Sequence, residues 1–476
     1  MNKYFKIFLP IIATVIILII PTPEKLSANA WHYFAIFIGV IVALILEPIP
    51  GALSGLIGVV IAASFQLVPL HQGKPITASS TVEWALSGFS NTVVWLGFVA
   101  FMFAKGYDKT GLGKRISLFM VKLLGKRTLG LGYAVAFSDL ILSPFMPSNT
   151  ARSAGTIYPI VRNIPALFGS TPEKDPRKIG AYLMWIGIAA TSVTSSMFIT
   201  ALAPNMFALS LVKDVAKQSI SWGQWFINFA PVGILLILIV PYLTYIIYPP
   251  GIKVSEDAPK WASDQLNSMG KMKKNEKYMG LLALLALLLW IFCDKYIPGN
   301  IVALMVLALM VLFKVIDWDD ILENKPAWNV LLWFGVLVPL AGGLKSVGFL
   351  KWFADISAAA AGGYGVMVIM IFLVVAFFIS HYFSASITAH VAALMPIFLA
   401  TAVAIPGINI MEFSILICGT LGLMGIITPY GTGPSPIWYG AGYISQKAFW
   451  GLGAVFGLLF LTALLVIGIP WIRFIS

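Results

Sequence analysis

The sequence predicts an all-α protein that crosses a membrane many times. Three observations carry that prediction. The chain's 476 residues are 59% hydrophobic and only 11% charged, with a mean hydropathy of +0.91, outside the range of soluble domains. Its apolar residues gather in stretches that mostly approach the ~20 residues a helix needs to cross a bilayer. Runs such as 281–290 and 232–240 are continuously apolar, with none of the alternation a membrane β-barrel requires.

The stretches fall in order at 5–20, 31–46, 51–70, 92–104, 180–210, 227–248, 279–293, 299–316, 328–344, 365–380, 411–428 and 449–472. About eleven transmembrane helices are expected from them, together with shorter re-entrant pieces. At the start, Lys3 and Lys6 precede an apolar run and Ala28-Asn29-Ala30 has the form of a signal-peptide cleavage site. Pro21 and Pro23 separate that run from Ala30, and another apolar stretch begins at Trp31, so an uncleaved first span is expected.

The net charge of +12 sits in short loops, which excludes a nucleic-acid-binding face and instead marks orientation. Lys105, Lys109, Lys114, Arg115, Lys122, Lys126 and Arg127 lie in one loop region, and Lys253, Lys260, Lys271, Lys273, Lys274 and Lys277 in another. Both regions and the N-terminus are predicted to be cytoplasmic, with the protein in the plasma or inner membrane. Cys293 and Cys418 lie within or at the edge of apolar segments and define neither a disulfide framework nor a metal site.

The two halves repeat each other. Asn91 and Trp95 align with Asn329 and Trp333 at an offset of 238 residues, and Ser148-Asn149-Thr150-Ala151-Arg152 aligns with Ser386-Ile387-Thr388-Ala389-His390 at the same offset. Gly111 aligns with Gly348 at 237. Each half then carries a polar, Pro-containing interruption in apolar sequence, at 194–205 and 428–436, where a broken helix is expected. Basic residues crowd the first copy while only Lys345 and Lys351 occur in the second, so the halves are predicted to be inverted, with the first hairpin entering from inside and the second from outside. The expected organisation is scaffold helices (1–90), a first repeat (91–250), a cytoplasmic linker (251–277), further scaffold helices (278–327) and a second repeat (328–476).

Helix N-termini at two hairpin tips, with Ser148, Asn149, Thr150, Ser386 and Thr388 beside them, make a cradle for carboxylate oxygens. Any single Ser or Thr could instead bond its own preceding turn, but two clusters at matching positions favour a binding site. Arg152 and His390 fall four residues after Ser148 and Ser386, on the same helical faces. A cation at membrane depth costs at least ~2.5–3.5 kcal/mol, so Arg152 reads as a functional counter-charge. His390 reads as a second cationic position, or as a neutral histidine hydrogen-bonded in the core. Two such positions suit a dicarboxylate; phosphate and sulfate also fit helix N-termini. Glu47, Asp108, Asp139 and Glu412 are isolated acids near apolar segments, read mainly as helix-end residues, and Asp139 has no obvious partner.

The tip motif 148–150, its degenerate copy 386–388 and the stretch 428–443 resemble the divalent anion:sodium symporter family, and the resemblance covers nearly the whole chain. Within it, 148–152 and 429–436 are similar to the branch of citrate:succinate and tartrate:succinate antiporters and plastid 2-oxoglutarate/malate translocators. The resemblance implies eleven transmembrane helices, two re-entrant hairpins, a homodimer and an elevator-like movement. It implies substrate contacts from Ser148, Asn149, Thr150, Ser386 and Thr388. From the broken helices it implies lining by Thr200, Pro204 and Asn205, and by Thr428, Thr432, Gly433, Pro434 and Ser435.

Ile387 departs from the pattern, standing where the family's sodium-coupled members have asparagine. A hydrocarbon gives a hard cation no oxygen, so at least one sodium site is missing its ligand. Arg152 and a protonated His390 are expected to supply that charge instead. A fixed cation left behind by departing substrate would hold back empty return by roughly two orders of magnitude, giving obligatory exchange of dicarboxylates. The alternative is a sodium- or proton-coupled symporter of the same acids; no cofactor or metal is predicted. An intramembrane enzyme is disfavoured because neither a His-Glu-x-x-His nor a Gly-x-Ser-x-Gly motif occurs. A channel would show no saturable uptake or counterflow.

Overall fold

The computed structural model describes residues 3–70, 73, 75–293, 295–360 and 362–475; the parts of the expected segments at 1, 2, 71, 72, 74, 294, 361 and 476 lie outside it. Among the described residues the regular structure is helical, apart from one bridge between Arg127 and Val254. Among the described residues, nine helical stretches are long and apolar enough to cross a bilayer, against the eleven or so expected. The shorter apolar helices Lys6–Ile19, Gly51–Ser64, Gly299–Leu312 and Ile410–Ile426 account for further apolar sequence.

The chain folds as two compact units, each assembled from three separate segments. The first comprises Met1–Phe98, Met206–Ile220 and Lys325–Ile417. Its helix Ala28–Leu46 starts at Ser27, whose hydroxyl accepts from the Ala30 amide. The same helix packs on Lys325–Ser346, where the buried Tyr33 hydroxyl donates to the Leu340 carbonyl at 2.5 Å. Gly343 lies beneath that ring, and any Cβ there would overlap the phenol. The helix Ile387–Ala404 packs on Phe349–Ala360 and on the turn Val212–Ala216.

The second unit comprises Val99–Asn205, Ser221–Asn324 and Cys418–Ser476. At its centre runs the helix Gly180–Met197, every residue of which is buried. It packs on Thr128–Leu142 and on Trp222–Ile247, the latter opened by a Ser221–Gln224 capping box. The polar residues of the central helix, Thr191 to Ser196, therefore face protein throughout. The expected linker is docked in this unit: the Thr128 amide donates to Lys253 O and the Ser255 amide to Lys126 O. Its helix Asp257–Met269 packs on Leu112–Leu124, and Arg115 pairs with Glu276 at 2.6 Å.

The repeat seen in the sequence recurs in the element boundaries. Helices Thr128–Leu142 and Val366–Ser380, and the 3-10 turns Ser143–Phe145 and His381–Phe383 that follow them, begin and end 238 residues apart. Gly111 and Gly348 both adopt left-handed φ, +76° and +86°, between paired helices where a side chain would be strained.

Candidate functional site

In both motifs the serine opens a helix. The Ser148 hydroxyl accepts from the Ala151 amide (3.1 Å) and the Ser386 hydroxyl from the Ala389 amide (3.3 Å), positions again 238 apart. These are N-caps, so each motif sits where helix amides are unsatisfied and partial positive charge gathers. The two copies then diverge. Ile387–Ala404 is α-helical, whereas Thr150–Ile157 is a π-helix, in which Thr156 Oγ1 donates to the Ala151 carbonyl five residues back. Pro159 follows and has no amide for the Gly155 carbonyl, but Pro396 stands at the matching place inside the α-helix of the second copy, so the proline alone does not set the wider turn.

In the second unit, the Asn149 side-chain amide donates to Thr432 Oγ1 at 2.7 Å. Gly433 lies against Thr150, whose Oγ1 occupies the space a Cβ would need. Trp438 Nε1 donates to Ser153 Oγ at 2.9 Å, and its ring packs edge-on to Tyr158. The first tip and the stretch from Thr428 to Ser435 are thereby one assembly.

The first broken helix is stitched to the same tip. After Met197 the chain extends at Phe198, makes the 3-10 turn Ile199–Ala201, extends at Leu202 and resumes as Ala203–Leu211. Thr200 Oγ1 donates to the Pro144 carbonyl and accepts from Trp222 Nε1 (3.1 Å), while the Ala203 amide donates to Pro147 O (2.9 Å). Asn205 Nδ2 donates to the carbonyls of Ser195 (2.7 Å) and Phe198 (3.0 Å) at the break, the latter also accepting from the Ala201 amide. Thr200 is thus a fastening whose hydroxyl is committed to protein, and Pro204 is buried at the first turn of the resumed helix.

Three buried polar atoms in this region make no hydrogen bond to another described atom: Thr428 Oγ1, Ser435 Oγ and Asn205 Oδ1. Buried polar atoms are normally satisfied, so these three oxygens keep hydrogen-bonding capacity that the protein does not use.

Arg152 corrects the expectation of an uncompensated cation. Its side chain is fully buried, with Nε donating to Asp139 Oδ1 at 2.9 Å. One terminal nitrogen donates to the carbonyls of Met146 (2.7 Å) and Ala201 (2.8 Å), and the other to the hydroxyls of Thr191, Thr194 and Ser195 at 3.2–3.4 Å. Thr194 Oγ1 in turn donates to the same Asp139 oxygen. The guanidinium is paired and its donors face protein oxygens, so the obligatory-exchange argument from a fixed charge at Arg152 does not hold. Asp139, without a partner by sequence spacing, is its partner.

In the first unit, Thr388 and Ile387 are buried, and His390 lies with its ring edge-on to Phe377 (4.5 Å) and to His381 (5.0 Å). Its Nε2 makes no hydrogen bond to another described atom.

The helices of the second unit cross closely where the two broken helices meet. Ser196 Oγ donates to Gly419 O and accepts from the amides of Gly422 (3.0 Å) and Leu423 (3.1 Å). A Cβ on Gly422 would stand 2.5 Å from Ser196 N and 2.6 Å from Ser192 O, backbone atoms that cannot turn aside. Gly422→Ala is therefore expected to cost about 1–3 kcal/mol through separation of the helices, read as a fall in the apparent melting temperature of the purified protein. An unchanged melting temperature would mean that the crossing is looser than this packing.

An all-helical membrane protein with polar helix breaks gathered at capped tips is a transport protein, and comparison with known proteins agrees. The chain belongs to the sodium:sulfate symporter family: the model of that family's transmembrane region matches residues 1–476. It is 47% identical over 478 residues to proteins named L-tartrate/succinate antiporter from Escherichia coli O6:K15:H31 (strain 536 / UPEC), Shigella sonnei (strain Ss046) and Escherichia coli (strain K12). Each alignment covers 99% of this chain and 98% of the relative. The fold is similar to the crystal structure of the Alcanivorax borkumensis YdaH transporter, with a TM-score of 0.57 and 16% identity over 94% of this chain and 99% of that one.

Proposed function

We propose that the protein is a sodium-independent exchanger of dicarboxylates, of the succinate, malate, 2-oxoglutarate or tartrate type, or of citrate. The observation that carries this reading is the 47% identity, over 99% of the chain, to relatives named L-tartrate/succinate antiporters. The geometry supports the sodium independence: the Arg152 guanidinium donates to the Met146 and Ala201 carbonyls, so these oxygens between hairpin tip and helix break are committed to a protein donor rather than open to a cation. Ile387, buried beside the second tip, supports it too. In this reading Ser148, Asn149, Thr150, Ser386 and Thr388 contact substrate at two re-entrant, inverted hairpins, and the orphan oxygens of Thr428, Ser435 and Asn205 complete its shell. The protein works in the inner membrane as a homodimer with a cytoplasmic N-terminus, by elevator-like alternating access.

The test is uptake of labelled succinate into proteoliposomes with and without internal dicarboxylate, in sodium and in sodium-free buffer at constant pH. Uptake that needs internal substrate and is indifferent to sodium is expected. Sodium-driven uptake into empty liposomes would overturn the exchanger in favour of a symporter.

A further inference from the structure

Away from the capped tips, the first unit holds a cavity of about 260 Å³ lined by Lys345, Lys351, Asp355, Val215, Ala400 and Val403, among others. At ~30 Å³ per water, that is space for about eight or nine waters, comparable to the eight heavy atoms of a four-carbon dicarboxylate. Ala400 lies 14 residues along its helix from Ser386, roughly 21 Å at 1.5 Å per residue. The cavity is therefore separate from the tip.

Its electrostatics are one-sided. Lys345 Nζ donates to the Asp214 backbone carbonyl, and the positive charge of Lys217 bears on the same ammonium. Lys213 is close enough to act on Asp214 as well. Lining the cavity, Lys345 and Lys351 stand against Asp355, a net +1; the other two of the four lysines nearby, Lys213 and Lys217, belong with Asp214 to the adjoining segment and do not line it. Among the described residues none of the four lysines forms an ion pair with a carboxylate within 4.0 Å. Two ammonium groups are both donors and repel, and the Asp214 backbone carbonyl is the acceptor that the structure gives Lys345.

A purely structural account explains Lys345, which lies in the last turn of Lys325–Ser346, where a cation complements the helix dipole. It does not explain Lys351. That residue is third in the helix Phe349–Ala360, at the end where a cation is disfavoured and an anion welcome.

We infer that this cavity is a second anion site, which takes a small dianion of the substrate's class between Lys345 and Lys351. The inference rests on the dicarboxylate reading for its ligand's identity but not for its chemistry, since any small dianion of oxygen acids fits. Held there, a dianion offsets the charge of the two lining lysines and raises the local supply of substrate at one end of the second hairpin helix.

The experiment is amine-selective labelling of the purified full chain in neutral-lipid nanodiscs, quantified lysine by lysine by mass spectrometry. Labelling is compared in succinate, sulfate and acetate at matched ionic strength, and separately with phosphatidylglycerol in the disc. Succinate and sulfate are expected to slow modification of Lys345 and Lys351 by the factor 1 + [L]/Kd, about fivefold at four times Kd, while acetate does not. Lys351→Gln should lose that protection at Lys345 and Lys351→Arg should keep it. Equal labelling in all three anions would overturn the site. So would protection by phosphatidylglycerol alone, which would make it a headgroup site, or full protection in Lys351→Gln. Succinate exchange measured on the same preparation separates the readings: failed exchange with sulfate protection intact refutes the transport assignment only, and intact exchange without protection refutes only this site.

Discussion

Asp139→Asn is expected to lose both exchange activity and a large part of the protein's stability. The substitution leaves the Arg152 guanidinium fully buried without its carboxylate, and breaking a buried pair from one side costs about 3–5 kcal/mol. The damage should reach function because the same guanidinium ties the Met146 carbonyl at the hairpin tip to the Ala201 carbonyl at the helix break. Arg152→Gln should be comparably damaging, since it strands the carboxylate. The double variant Asp139→Asn/Arg152→Gln removes both charges and should recover part of the stability. It should not recover exchange, because the crosslink between tip and break remains absent. Melting temperatures of the three variants in one detergent, with counterflow in liposomes, form a double-mutant cycle. Additive losses, or a single variant with unaltered melting and exchange, would show that the pair does not couple.

The second large effect has the opposite signature. Thr428→Val and Ser435→Ala remove hydroxyls that are buried yet bond no other described atom, so the fold gives up nothing when they go. If they bond a substrate carboxylate, each loss removes a charge-assisted hydrogen bond of about 1.5–3 kcal/mol, or about 10- to 150-fold in affinity. The expected result is a KM for succinate exchange raised by that factor at unchanged melting temperature. Thr200→Val is the internal control: its hydroxyl donates to Pro144 O and accepts from Trp222, so stability should fall first. Thr428→Val and Ser435→Ala with unaltered KM would remove the 428–435 stretch from the substrate shell.

Much of this was legible in the sequence because it depends on residues close in the chain. Apolar run lengths set the helices, and the 238-residue offset reappears in the boundaries of paired helices and 3-10 turns. The serines of both motifs cap helices because a hydroxyl three residues before an amide is placed to accept from it. Pro204 with its polar neighbours in 194–205, and the clustered Pro and Gly of 428–436, announced the breaks, since such residues weaken a helix interior.

The partners of the polar groups were not legible in the same way. Arg152 reads as a free cation from its own neighbourhood, yet its bonds reach back 13 residues to Asp139 and forward 39 to 49 residues to Thr191 through Ala201. One signal was available: an isolated acid in an apolar helix needs a buried cation, and Arg152 is the first basic residue after Asp139. The pairing of Asn149 with Thr432 spans 283 residues, and no local pattern encodes it.

The sequence by itself determined that the chain is helical, membrane-spanning and internally repeated, and where its helices are capped and broken. Only the tertiary structure decided which polar groups the protein satisfies itself, as at Arg152 and Thr200, and which it leaves open, as at Thr428 and Ser435. The reason is physical. Helix formation and capping are settled within about one turn of backbone. The satisfaction of a buried charge or hydroxyl depends on atoms brought within about 3 Å by packing, whatever their distance along the chain.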